Sequence, residues 1–483
     1  MLSVKRNAVL NVFRTLMSLI FPLITFPYVS RVLGPEGTGK VHYAQSIVSY
    51  FSMIALLGIN TYGLREAAKI RDDKECLSKF YHEMMVITLF STLIAYILFF
   101  VAIFVFRNLY EYRHLLVVTS ATILFTTLGV EWLYGAVEDY GYITLRSVFF
   151  QIAGLVLLFI FVKDKNDFMP YAAISVVTNV GSNFLNFLHC RKYVFITKKY
   201  SLEIKKHLKP ILILFGTTAA ISIYTVLDST MLGILCGDVQ VGLYNAATKI
   251  NKIVMGLIVA VGVVVTPRMS NVVETDKKAG NELLLKTYNL YLFLTIPCAV
   301  GLCFLAKPVI LLFCGSEFYS AVRTMQIMTP IIIFISFGQF FTNLIFTPLR
   351  KDRYSLVPVL IGAGINFIMN LILIPKLYAF GAGIATVVAE FSVWIIKLVL
   401  SKKLTDVFSF FFKNLYQYII SAMAMFLVLF LISLLQFSAA WNLLVSIIAG
   451  ATVYVISLVL FKNEYVLLFF DFVKRRVKCQ NLA

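Results

Sequence analysis

The stretch from Arg31 to Ile47, RVLGPEGTGKVHYAQSI, comes close to a known phosphate-handling loop. Gly34, Gly39 and Lys40 fill the first seven positions of G-x-x-x-x-G-K-[ST], in which glycine backbone wraps phosphates and the lysine reaches their oxygens. The eighth position fails. Val41 stands where a hydroxyl should reach Mg²⁺, and the loop follows mostly apolar residues, Ala8 to Val29, too many for a short buried strand. A nucleotide site is therefore not expected. Charges embedded in apolar stretches are better candidates for chemistry, because an ionised side chain in hydrocarbon costs about 2.5–3.5 kcal/mol on insertion scales.

The segment 241–266 sets Asn245, Lys249, Lys252 and Gly256 on one helix stripe. Two lysines one turn apart repel each other, so something anionic should answer them. Asp228, in the preceding apolar stretch, is the available carboxylate, and an ion pair with one lysine would leave the other to act. The opening stretch carries Asn11, Arg14, Ser18, Pro22 and Thr25 at steps of four and three, again one face. Arg14 either looks into a wet cavity or snorkels to leaflet phosphates. Ser175, Asn179, Ser182 and Asn186 form an uncharged stripe in 168–189, as do Ser336, Gln339, Asn343 and Thr347 in 322–347; such residues also serve helix packing in lipid. Glu131 with Arg146, and Glu390 with Lys397 seven residues on, complete the embedded set, which leans basic. Proton-coupled work needs a carboxylate whose pKa rises on burial, and the candidates are Glu131, Asp228 and Glu390. His42, His114, Trp132 and Trp441 near the ends of apolar stretches read as interfacial residues. The five histidines and seven cysteines show no metal-ligand spacing, and no nucleophile or acid–base constellation is present. No cofactor, metal or enzymatic activity is expected.

The elements that must carry these residues follow from composition. Of 483 residues, 60% are hydrophobic and only 14% charged. No soluble globular class tolerates the exposed apolar surface this implies, so the chain reads as an integral membrane protein. Fourteen spans suffice for a hydrocarbon core of about 30 Å: 7–30, 41–63, 82–106, 114–135, 143–162, 168–189, 210–234, 241–266, 287–306, 322–347, 355–374, 380–400, 415–435 and 441–461. Lys5 and Arg6 before an apolar run resemble a signal peptide, but the run is long and lacks a small-residue cleavage site, so it is kept as the first span. The net charge of +19 does not point to nucleic acid, since the basic residues are parcelled out between the apolar runs. With both termini inside, the inner loops and tails hold 29 of the 43 Lys and Arg, as the positive-inside rule requires. Pro22 and Pro27 permit bending of the first span.

A second stretch, ILCGDVQVGLYNAATKI at 234–250, echoes the first at an offset of 203 residues. Gly34 meets Gly237, Gly39 meets Gly242, Ala44 meets Ala247, Arg65 meets Arg268, Asp73 meets Asp276 and Lys74 meets Lys277. Six spans separate the copies, so both keep one orientation, the parallel-repeat design of rocking transporters. The expected architecture is all-α: a six-helix lobe at 1–200, a pseudo-symmetric six-helix lobe at 201–403, two peripheral spans at 404–462 and a basic cytoplasmic tail at 463–483 on an anionic leaflet.

PYVSRVLGPEGTGKVHYAQSI at 27–47, GLREAAKIRDDKE at 63–75, LLFCGSEFYSAVRTMQIM at 311–328 and TPLRKDRY at 347–354 carry a resemblance. The chain resembles the bacterial polysaccharide-specific transporters of the multidrug/oligosaccharidyl-lipid/polysaccharide exporter superfamily, the flippases for O-antigen and capsule repeat units. The resemblance implies a V-shaped pair of lobes in the bacterial cytoplasmic (inner) membrane. Their cargo would be an undecaprenyl-pyrophosphate-linked oligosaccharide, moved from the inner to the outer leaflet. Polymerase and chain-length proteins of the same pathway are the implied partners besides membrane lipid. On this resemblance Lys249, Lys252 and Arg14, with Asn245 and Asn11 beside them, would contact the anionic head group, and Asp228 would tune or release it. The stripes holding Ser18, Thr25, Asn179, Gln339 and Asn343 would exchange hydrogen bonds with sugars. Two alternatives stand beside it. A multidrug-type cation antiporter shares the twelve-helix core but would prefer an acidic cavity. A membrane enzyme acting on lipid-linked glycans would carry a substantial outer loop or paired catalytic groups.

Overall fold

The computed structural model describes residues 4–196, 200–405, 415–435, 439–463 and 465–467, leaving aside the side chains of 4–16, 19, 273–275, 277 and 439. Every regular element among them is helical. Eleven helical runs are long and apolar enough to cross a membrane. Arg353–Ser401 holds two of the expected spans, Ile20–Ile70 holds 41–63 and the end of 7–30, whose beginning lies in the same helix, Val4–Leu56, and the expected span 168–189 is divided by a π-helical segment, Val177–Gly181. Each of the fourteen expected spans thus has a helical counterpart in an all-α, polytopic membrane protein. The chain divides into two compact units, Met1–Gly242 and Leu243–Ala483. This division by compactness is a different partition from the lobes expected at 1–200 and 201–403.

In the first unit, α1 (Val4–Leu56) runs through two spans and is interrupted at Gly34, whose φ of 66° a side chain would oppose. Pro22 and Pro27 lie within α1 without such an interruption, so the sharp break sits at the glycine. A second break at Leu57 and Gly58 (φ 77°) turns the chain into α2 (Ile59–Ile70). Asp73 then caps α3 (Lys74–Val105), accepting from the Glu75 and Cys76 amides at 2.9 and 3.0 Å. The Cys76 amide first, and then the Cys76 thiol, favour the carboxylate and hold the Asp73 pKa below its ordinary value. There follow α4 (Arg107–Glu111), α5 (Arg113–Leu128), α6 (Glu131–Ala136), α7 (Tyr140–Phe161), α8 (Phe168–Val176), α9 (Ser182–His189) and α10 (Lys205–Cys236). The core beneath α2 gathers Phe80, Tyr81, Met84, Leu133 and Tyr134. Trp132 belongs to it too, which corrects its reading as an interfacial residue: the indole is buried and lies so close to Gly63 that a Cβ there would come within 2.8 Å. Phe90, Leu93 and Phe104 of α3 remain exposed, as a lipid-facing side requires.

The second unit opens with α11 (Asp238–Thr275), whose first turn still belongs to the first unit, and α12 (Lys277–Phe304), capped by Asp276. It continues through α13 (Ala306–Phe313), α14 (Ala321–Met328) and α15 (Ile331–Phe341) into a second π-helical segment, Thr342–Phe346. The run α16 (Arg353–Ser401) breaks at Tyr378 (φ 55°), and α17 (Leu415–Ser433) and α18 (Ala439–Leu460) follow. An aromatic core joins Tyr288, Tyr291, Phe337, Phe340 and Phe341 to Tyr418 and Tyr454 of these last two helices. The peripheral spans are therefore two-sided. Gln417, Tyr418 and Ser421 of α17 face inward, while Met423, Leu427 and Leu431 stay exposed. Most of the expected basic tail, 463–483, lies outside the described residues.

Candidate functional site

The echo read from the sequence is also geometric. Gly34 and Gly237 share one backbone conformation, φ 66° and ψ −176° against φ 82° and ψ 178°. Asp73 and Asp276 make the same helix cap, each accepting from the amides two and three residues on. Within the first unit the two glycine stretches meet reciprocally: a Cβ on Gly39 would overlap the Asp238 carbonyl, and a Cβ on Gly242 would overlap that of Pro35. Asp238 and Pro35 are themselves 203 residues apart, so the contact is self-complementary, as at a twofold interface. Tyr112 donates to Asp238 Oδ2 at 2.7 Å beside it. Lys40 is taken by Glu36 at 2.7 Å, so the near-match to a phosphate loop resolves into a helix crossing.

Three polar constellations sit inside the first unit. Arg146 is 4% exposed and pairs with Glu131 at 3.1 Å. It also donates to Ser182 Oγ at 2.7 Å and Asn183 Oδ1 at 3.1 Å, the residues that leave the π-helical turn at 177–181. Asn186 closes the same seam by donating to the Gly129 carbonyl at 2.6 Å. Asp228 is buried on α10, near a hydroxyl chain in which Tyr50 donates to Thr230 at 3.1 Å and Thr230 to Ser46 at 3.0 Å. The third constellation escaped the sequence reading. Glu83, only 1% exposed, is the most deeply buried carboxylate among the described residues. Its Oε2 lies 2.8 Å from His207 Nε2, and His207 Nδ1 lies 2.7 Å from the Tyr62 hydroxyl. The expected span 82–106 already contained Glu83, which therefore joins Glu131, Asp228 and Glu390 as an embedded carboxylate and narrows the basic excess.

In the second unit Asn245 and Lys249 are half-buried on α11 and Lys252 is exposed, so the expected stripe runs from interior to surface. Lys397 is 4% exposed. Its amine donates to Thr342 Oγ1 at 3.0 Å and to the Gly338 carbonyl at 3.3 Å, at the entrance of the π-helical segment 342–346. Among the described residues no carboxylate lies within ion-pair distance of it. Glu390 is half-buried on the same helix, as are Gln339 and Asn343 on α15 and in the turn beyond it. Asn179 is exposed within its π-helical turn and Ser18 is exposed on α1. Thr25 donates to the Phe21 carbonyl at 3.2 Å, which tempers its polarity. The side chains of Asn11 and Arg14 lie outside the described residues. Among the described residues no group of three His, Cys, Asp or Glu could hold a metal.

The family described as "Polysaccharide biosynthesis protein" matches residues 4–273, more than half of the chain. The chain belongs to this polysaccharide biosynthesis protein family. A Shigella dysenteriae protein provisionally named an O-antigen transporter is 25% identical over 371 residues, which cover 75% of this chain and 90% of the relative. Among solved structures, a lipid II flippase MurJ in an inward closed conformation has a TM-score of 0.73 at 20% identity, covering 94% of this chain and 99% of its own. A multidrug resistance MATE family transporter of the MOP superfamily, inward-facing, reaches 0.63 at 17% identity over 82% and 97%. These two likenesses establish the fold that the polysaccharide family member shares with them.

Proposed function

We propose that this chain is a flippase for a lipid-linked oligosaccharide. It moves an undecaprenyl-pyrophosphate-linked repeat unit from the inner to the outer leaflet of a bacterial cytoplasmic membrane by alternating access, for O-antigen, capsule or exopolysaccharide assembly. The observation that carries the reading is the match to the O-antigen transporter relative over 90% of that protein's length, within a family concerned with polysaccharide biosynthesis. The embedded residues suit the cargo. Lys249, half-buried with Asn245 one turn before it, offers fixed positive charge and an amide to a pyrophosphate, and Lys252 extends that charge to the surface. Neutral Gln339 and Asn343 offer hydrogen bonds to sugar hydroxyls. The repeat supports six-helix lobes at 1–200 and 201–403, and the basic loops support termini on the cytoplasmic side. Polymerase and chain-length proteins of the same pathway are the proposed partners.

Deletion of the gene followed by leaflet-resolved detection of the lipid-linked oligosaccharide tests the reading. Accumulation on the inner leaflet is the expected result. Normal appearance on the outer leaflet would remove the function. A multidrug antiporter would instead bind a cationic dye in purified form, which the basic embedded set disfavours.

A further inference from the structure

Between α2 and α10, within the first unit, lies a groove of about 500 Å³ that none of the foregoing uses. At its mouth stand Arg65 and Lys209, both exposed and, among the described residues, without an ion-pair partner. The acidic residue at the rim, Glu66, is already taken by Lys69 at 2.7 Å, so the groove is net cationic. One wall is apolar: Pro210, Ile213 and Leu214 line it, and Ile213 is 65% exposed. The far end is closed where α2 begins, because Gly58 brings the two backbones together; a Cβ there would stand 3.0 Å from the Phe215 nitrogen and 3.2 Å from the Leu214 carbonyl carbon.

The floor is rigid. Tyr62 lines the groove, and its hydroxyl is tied to His207, which is tied in turn to Glu83. The other Glu83 oxygen accepts the Glu203 amide at 2.8 Å, with Lys206 3.7 Å away. Phe80 packs against both rings, 5.4 Å from His207 and 6.2 Å from Tyr62 between centroids. The start of α10 is thereby pinned to α2 and α3, which holds Lys209 across from Arg65.

We propose that this groove binds the phosphate group of an anionic membrane lipid, with Arg65 and Lys209 on the phosphate and the hydrocarbon chain along Pro210, Ile213 and Leu214. Charge complementarity selects an anion. The exposed apolar wall, which water would not favour and a lipid chain covers, selects one carrying hydrocarbon. Tyr62, His207 and Glu83 act as positioning residues. The assignment rests on the groove's own chemistry and stands whatever cargo the protein moves, so transport is not its readout.

The test is native mass spectrometry of the full chain in detergent, titrated with phosphatidylglycerol, with phosphatidylcholine of the same chains, and with inorganic phosphate as competitor. The wild type should retain one phosphatidylglycerol in preference to phosphatidylcholine, undisplaced by millimolar phosphate. R65Q/K209Q should weaken that retention about thirtyfold, the effect of two basic residues near a charged lipid. K278Q/K286Q, which removes two exposed basic residues elsewhere, should leave it unchanged. I213W should also weaken it by filling the wall while keeping both charges, and it covers the case in which the double variant fails to fold. Wild-type retention by both R65Q/K209Q and I213W, or a loss in K278Q/K286Q equal to that in R65Q/K209Q, would overturn the site. Displacement by inorganic phosphate would overturn the lipid assignment.

Discussion

Two buried cations, Arg146 in the first unit and Lys397 in the second, solve the same problem differently. Each lies against a π-helical segment, where the widened turn offers polar atoms to a neighbour. Arg146 meets a carboxylate, a hydroxyl and an amide oxygen, so its charge is neutralised on the spot. Lys397 meets a carbonyl and a hydroxyl, with Glu390 of the same helix acting on it only through space, so its charge is solvated and in part offset without being neutralised by contact. The lesson is that embedded charge is of two kinds. A neutralised cation is part of the packing, whereas a solvated one still projects a field that an anionic cargo can feel. Lys249, half-buried on its stripe, extends the comparison to a third basic residue.

The largest effect is expected where two basic residues of one stripe are lost. Replacing Lys249 and Lys252 together by Gln should abolish export in a complementation assay while the protein still reaches the membrane; unimpaired export would break the distinction at its functional end. Next comes Glu131→Ala, which strands the Arg146 guanidinium and should cost about 3 kcal/mol in denaturant unfolding, the low end of the range because Glu131 is itself 46% exposed. Arg146→Met should cost less, about 2 kcal/mol, since the carboxylate left behind can turn to water and only Ser182 and Asn183 lose a donor. Equal costs for the two would mean that Arg146 is not held chiefly by its charge partner. Lys397→Met should change stability by no more than about 1 kcal/mol, because an apolar side chain of similar volume replaces a buried charge that no carboxylate touches. A larger loss would place Lys397 with Arg146 as packing, and a drop in export without a drop in stability would place it with Lys249.

How much of this the sequence disclosed depends on the range of the interaction. The spans and the glycine turns were legible because each is a local pattern of apolar run or Gly, and the 203-residue echo repeated them; Asp73 and Asp276 were legible as matching positions, and the structure shows that both cap helices. The near-match to a phosphate loop was rejected on Val41 and on the long apolar stretch before it, and Lys40 goes to Glu36. Partners were not legible. Glu83 and His207 are 124 residues apart, and a carboxylate one residue inside a span looks like a loop charge until α10 is seen against it. Lys397 shares a helix face with Glu390, yet finds its contacts on a turn more than fifty residues earlier. Trp132 sits near the end of an apolar run, where aromatic residues usually mark the interface, but the missing side chain of Gly63 admits it to the core.

The glycine crossing has a genetic consequence. A methyl group at Gly39 or Gly242 would strike main-chain carbonyl oxygen, which no change of neighbouring side chain can withdraw. Alanine at either position should therefore be refractory to compensation: a search for second-site suppressors should return reversion to glycine and little else, whereas Gly301→Ala, whose nearest neighbour is the flexible end of Met425, should be rescued by trimming that methionine.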